Sequence, residues 1–259
     1  MKRVLLYGDS NTWGYAPGSG VRFAEGVRWS GVLAQALGDE VRVVEEGLNG
    51  RTTVFDDPFE HGKNGKTYLQ PCLASHRPLD LVVLMLGSND LKHRFGLSAF
   101  DIGEGMRSLA ELVLASKAGL YETEPQLLLV APPHLNPEGL GEAFEGGVEK
   151  SRDLARYYLQ VAEELSCHFF DAATVVASSP LDGVHLGEQA HRDLGVALAE
   201  QVRRLFALCQ PPTTDSTSTL PTYPPANRLR VTLRRLPTPT PLRRLERGSL
   251  KLNPEKPSA

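Results

Sequence analysis

Cysteine is scarce in this chain of 259 residues. There are three, Cys72, Cys167 and Cys209, and no two stand in C-x-x-C spacing. That excludes a disulfide-stapled scaffold and a cysteine-held zinc knuckle, and favours a reducing, cytoplasmic setting. Long apolar runs are also missing. The longest, Leu81–Leu86, falls far short of the about 20 residues that cross a bilayer, so no membrane partner is expected. The first residues lack the extended apolar stretch of a secretory leader, and export by one is not expected. No H-E-x-x-H occurs, and His93, His134 and His191 have no partner at ligand spacing, so they read as surface or loop residues and no metal or cofactor is expected. The absence of G-x-S-x-G excludes the nucleophile elbow of α/β-hydrolases. His61–Thr67 ends like a phosphate-binding loop, but Glu60 stands where its first glycine is required and no strand precedes it.

Charge is nearly balanced overall, at −3, yet unevenly placed. Residues 211–259 hold nine basic and three acidic groups with ten of the 19 prolines, leaving 19 basic and 28 acidic residues to the first 210. A segment so rich in Pro, Thr and Arg has too little apolar surface to offset its ordering entropy, and is expected to be a disordered tail. Arg234-Arg235 and Arg243-Arg244 invite a nucleic-acid reading, but Tyr223 is the tail's only aromatic residue, so base stacking has little to use and no nucleic-acid partner is expected. The domain is placed at 1–210.

Within that domain, short apolar runs alternate with amphipathic stretches. Arg3–Tyr7, Val41–Glu46, Leu79–Leu86, Leu127–Ala131 and Cys167–Asp171 predict five strands, several apolar throughout, as in a sheet covered on both faces. Trp29–Leu37, Ala99–Ala115, Glu145–Leu165 and Gly187–Leu208 predict helices, while Phe55–Cys72, polar and glycine-rich, reads as a loop. The alternation implies a three-layer α/β/α fold around a five-stranded parallel, flavodoxin-like sheet. In such sheets reactive groups gather beyond the carboxyl ends of the strands.

Four groups fall there. Gly8-Asp9-Ser10-Asn11 follows the first strand, and a serine at a strand-to-helix corner exposes its hydroxyl and frees its own N–H; an ordinary helix cap fits the same residues. Gly50, after the second strand, can bring a bare N–H near a ligand or simply turn the chain. Asn89, in Gly87-Ser88-Asn89-Asp90, can aim its amide into the same space, though Asn-Asp is also common turn chemistry. Asp182-Gly183-Val184-His185 precedes the last helix and can supply a base with its orienting carboxylate, or a plain turn with a loop histidine.

Taken together, these blocks resemble the SGNH hydrolase superfamily, the GDSL-type esterases and lipases, over roughly residues 3–208. Thr12-Trp13-Gly14, Val27–Leu33, Glu45–Leu48, Arg51-Thr52-Thr53, Asp56-Asp57-Pro58 and Asp193–Leu198 are similar to its bacterial arylesterase and acyltransferase branch. The resemblance implies Ser10 as nucleophile, His185 as general base and acid, and Asp182 as its carboxylate, with an oxyanion held by the Ser10 N–H, the Gly50 N–H and Asn89. It further implies short-chain ester substrates, water or alcohol as acceptors, and a homo-oligomer. Asp9, Asn11 and Trp13 are expected to meet substrate, with Phe144 as a further wall. Asn11 stands where the eponymous motif has leucine. A carbohydrate deacetylase or lipase of the same superfamily and a non-catalytic α/β binding module are the alternatives.

Overall fold

The computed structural model describes residues 1–208; Cys209, the boundary at Gln210 and the tail from Pro211 lie outside the described residues. Five strands, β1 (Lys2–Gly8), β2 (Val41–Gly47), β3 (Leu81–Met85), β4 (Gln126–Ala131) and β5 (His168–Asp171), form one parallel sheet in the order β2-β1-β3-β4-β5. Every residue of β3 is buried, as an unbroken Leu/Val/Met run at the centre of a covered sheet requires. Alternation along β1 divides the core. Leu5 and Tyr7 join one apolar cluster with Leu73, Ile102, Met106 and Leu154, and Val4 and Leu6 join another with Trp29, Leu33, Leu194 and Leu198. The first cluster lies under α3 (Gly65–His76), α4 (Ala99–Ala115) and α5 (Gly147–Glu164), the second under α2 (Trp29–Leu37) and α6 (Glu188–Leu208). A four-residue helix, α1 (Ser10–Trp13), leaves the end of β1.

Two expectations need correction. Phe55–Cys72 is not loop throughout, because α3 begins at Gly65 and runs to His76. Asn64 caps it, its side chain accepting the Lys66 N–H at 3.0 Å, and Leu69, Cys72 and Leu73 are buried beneath it. Pro71 lies in its interior and cannot donate to the carbonyl one turn back, which disguises the helix in the sequence. His191 is not a surface histidine either. It is 0 % exposed on α6, where its Nδ1 accepts the Trp29 N–H at 3.2 Å.

No helix among the described residues is long and apolar enough to cross a membrane. The sheet register aligns the exits of the first three strands, pairing Gly8 with Gly47 on one side and with Met85 on the other. The chain therefore leaves three neighbouring strands at one level, and Ser10, Gly50 and Asn89 all follow within a few residues.

Candidate active site

The nucleophile candidate is built by the corner after β1. Asp9 caps α1, its carboxylate accepting the Asn11 N–H at 2.9 Å, so Ser10 becomes the first helical residue with its own N–H at the helix start. A side chain at Gly8 would run into the Thr12 hydroxyl and the Met85 carbonyl, so only glycine allows so tight a corner. Ser10 is 5 % exposed.

The Ser10 hydroxyl lies 2.9 Å from His185 Nε2, and His185 Nδ1 lies 2.9 Å from Asp182 Oδ2. The other Asp182 oxygen accepts the His185 and Val184 N–H groups at 2.9 and 3.1 Å, so one carboxylate caps its own turn and aligns the ring. Burial pushes the Asp182 carboxyl up, but these hydrogen bonds and His185 outweigh it and hold the carboxyl below its ordinary value. Burial lowers the pKa of His185; Asp182 opposes the shift and Lys92 adds to it. The imidazole is thus neutral at pH 7, with a nitrogen facing a hydroxyl: the protonation state a general base needs.

Around this line the turns are locked together. Arg51, buried over the Tyr7 ring, donates to the Gly8 carbonyl at 2.8 Å and also to the Glu46 carbonyl. Asn89 donates through Nδ2 to the Arg51 carbonyl at 3.1 Å, and Asp90 accepts the Thr53 N–H at 3.0 Å. Burial pushes the carboxyls of Asp9 and Asp90 up to about 6. Gly50 has φ +79°, the left-handed region that favours glycine. Among the described residues the Ser10 and Gly50 N–H groups have no acceptor, and the Asn89 amide has a second hydrogen to give.

Asp9 and Asn11 are each 1 % exposed, and their side chains are turned inward. Asn11 donates to the Val184 carbonyl at 3.3 Å and accepts the Leu186 N–H at 3.0 Å, clamping the backbone on both sides of His185. Trp13 is partly exposed, with the Arg22 guanidinium 5.1 Å from its ring centre. Phe144 packs against the first apolar cluster. Sequence reasoning missed Tyr15, whose ring stacks on His185 with centres 4.1 Å apart, and Lys92, 9 % exposed and three residues beyond Asn89.

A second cluster of reactive side chains lies beside β2. Glu46, Cys72 and His76 place ligand atoms within 4.8 Å of one another. His76 Nε2 and Glu46 Oε1 already satisfy each other at 2.8 Å, and burial pushes the Cys72 thiol up to about 12. The site needs none of these groups.

The model of the GDSL-like lipase/acylhydrolase family matches residues 6–192. The chain belongs to that family. Among solved structures, it is 48 % identical to an aryl esterase of M. smegmatis, with a TM-score of 0.76, covering 79 % of this chain and 100 % of that one. It is 40 % identical to Est24, a carbohydrate acetylesterase from Sinorhizobium meliloti, with a TM-score of 0.77, covering 80 % of this chain and 100 % of that one. No curated protein matches the chain. As a GDSL-like acylhydrolase with aryl esterase relatives, this protein is an esterase, and esters are its substrates. The SGNH fold expected from the sequence is the fold observed.

Proposed function

We propose that the protein is a serine arylesterase that hydrolyses short-chain acyl esters through Ser10, His185 and Asp182 and an acyl-enzyme. The observation that carries this reading is the continuous line from Ser10 Oγ to His185 Nε2 and from His185 Nδ1 to Asp182, both steps at 2.9 Å. In the first half-reaction Oγ attacks the ester carbonyl carbon while Nε2 accepts its proton. The carbonyl oxygen becomes an anion facing the Ser10 and Gly50 N–H groups and the free hydrogen of Asn89. Asp182 stays ionised and stabilises the imidazolium. His185 then protonates the leaving alkoxide or phenoxide as its bond to carbon breaks. Water, with His185 again as base, attacks the acyl carbon and restores Ser10 Oγ–H. An alcohol or peroxide taking the place of water would give a new ester or a peracid.

Asp9 and Asn11 act in this scheme as supports, the first capping the helix that carries Ser10 and the second clamping the loop that carries His185; Trp13 is the one of the three left to meet substrate. We assign the activity to residues 1–210, in the cytoplasm, in a homo-oligomer. A second reading, removal of acetyl groups from carbohydrates, is favoured by the likeness to the Sinorhizobium meliloti acetylesterase; both readings use the same acyl chemistry.

The deciding experiment is release of p-nitrophenol from acetate, butyrate and octanoate esters by wild type and Ser10→Ala at equal folded concentration, with an acetylated sugar run alongside. Turnover that falls with chain length and drops at least ~10³-fold in the variant is expected, since the nucleophile is removed and only binding and oxyanion contacts remain. Equal turnover in both proteins would remove Ser10 from the chemistry.

A further inference from the structure

We propose that Lys63 is a positioning residue for the oxyanion site, acting through the Asn49–Gly50 peptide group; this rests on the assignment of the Gly50 N–H as an oxyanion donor. Lys63 Nζ donates to the Asn49 carbonyl at 2.8 Å. That carbonyl and the Gly50 N–H are opposite ends of one planar amide and point in opposite directions. A donor fixed on the oxygen therefore fixes where the N–H points. The Arg51 N–H closes the turn on the Leu48 carbonyl at 3.1 Å, and Lys63 holds the peptide at its centre, beside a glycine at φ +79° that has no side chain to do so.

Lys63 is itself held from several sides. Its carbonyl accepts the Thr52 N–H at 2.9 Å, and Asn64 bridges to Thr52. Its ammonium lies 3.4 Å from Glu60 Oε2, and the other Glu60 oxygen lies 3.7 Å from an Arg94 nitrogen that also pairs with the buried Asp57. A Cβ built on Gly50 would come within 3.3 Å of Glu60 Oε2 and 3.4 Å of Lys63 Cε, so this charged strap lies directly on the turn. Only 19 % of the Lys63 side chain is exposed, which limits competition from water at the ammonium.

The ammonium also polarises the amide. Positive charge on the carbonyl oxygen draws electron density from nitrogen and strengthens the N–H as a donor, as in any hydrogen-bonded chain. The gain is largest when the acceptor is a full oxyanion, so it belongs to the transition state and to kcat more than to KM.

Lys63→Met keeps the aliphatic stem and removes the donor, Lys63→Gln is a second variant in case the first does not fold, and Lys63→Arg retains charge and donor. Each is compared with wild type and Asn89→Ala for kcat and KM on p-nitrophenyl acetate, melting temperature, and affinity for a trifluoromethyl ketone that forms an oxyanion adduct with serine. Loss of about 5–30-fold in kcat is expected for Met or Gln, with KM within about twofold, a parallel loss of ketone affinity, and recovery of most activity with Arg. Unchanged kcat and ketone affinity in Met and Gln, while Asn89→Ala falls about 10²–10³-fold, would overturn the role of Lys63 and leave the oxyanion assignment standing. Loss that follows melting temperature alone, without recovery in Arg, would also overturn it. Undiminished turnover in Ser10→Ala or Asn89→Ala would overturn the underlying reading and the role of Lys63 with it.

Discussion

At the residue scale the centre of the site is His185, pulled in two directions. Burial disfavours its charged form, Asp182 favours it, and the Lys92 ammonium disfavours it again. Burial also lowers the pKa of Lys92, and Arg94 adds to that shift. The net shift is downward from 6.5, and in the proposed mechanism His185 acts as the neutral ring. Activity should therefore rise with pH along an acid limb whose midpoint lies below 6.5. Replacing Lys92 by Met removes a cation that disfavours imidazolium, so the limb should move to higher pH while plateau activity stays within about twofold. A profile of kcat/KM from pH 4.5 to 8.5 for both proteins checks this. A limb that stays in place or moves to lower pH would show that Lys92 does not act on the base.

At the element scale the exit of β3 shows how helices hold the site. Tyr158, fully buried on α5, donates its hydroxyl to the Leu86 carbonyl at 2.9 Å, and Gly87 leaves just enough room for it. Burial raises the pKa of this phenol well above its ordinary value, so it remains a donor throughout the working pH range. Tyr158→Phe keeps the ring and strips the donor from a buried carbonyl, which typically costs about 1–3 kcal/mol. Urea unfolding should show a lower midpoint at unchanged slope; an unchanged midpoint would mean that the hydroxyl carries no net stability. Much at this scale was legible in the sequence. Strands buried on both faces announce themselves as unbroken apolar runs, and α2 and α4 keep the bounds their periodicity predicts, α4 opening on the Ser98–Asp101 capping box. The helix α3 was hidden by Pro71 and a weak apolar stripe. The motif residues could be read because each stands at a strand exit or a helix start. The parts played by Asn11, Tyr15 and Lys63 could not, because they depend on contacts across the fold: Asn11 meets Leu186 across 175 positions of sequence.

At the scale of the whole molecule, the sheet that gathers the site also buries titratable groups whose effects on stability oppose one another. Burial and Arg28 hold His191 down at about 4, against 6.5 in the open chain. As pH falls through 6.5 the unfolded chain takes up a proton that the folded protein refuses, so stability is lost down to about pH 4, where both states are protonated. Asp9 and Asp90 work the other way. Raised from 3.8 to about 6, they take up protons in the folded state first, which adds stability as pH falls from 6 toward 3.8 and removes it on the way back up. The overall profile is therefore flattened, and the histidine shows only in a difference. His191→Gln retains an acceptor for the Trp29 N–H but does not titrate. Unfolding free energies of the two proteins should keep a constant gap above pH 7, after which wild type should lose roughly 3 kcal/mol relative to the variant by pH 4. The neutral ring is the form that can accept the Trp29 N–H, adding a hydrogen bond to the apolar packing between α6 and the start of α2. A gap independent of pH would mean that His191 accepts its proton inside the folded core, with the Trp29 contact broken to admit it.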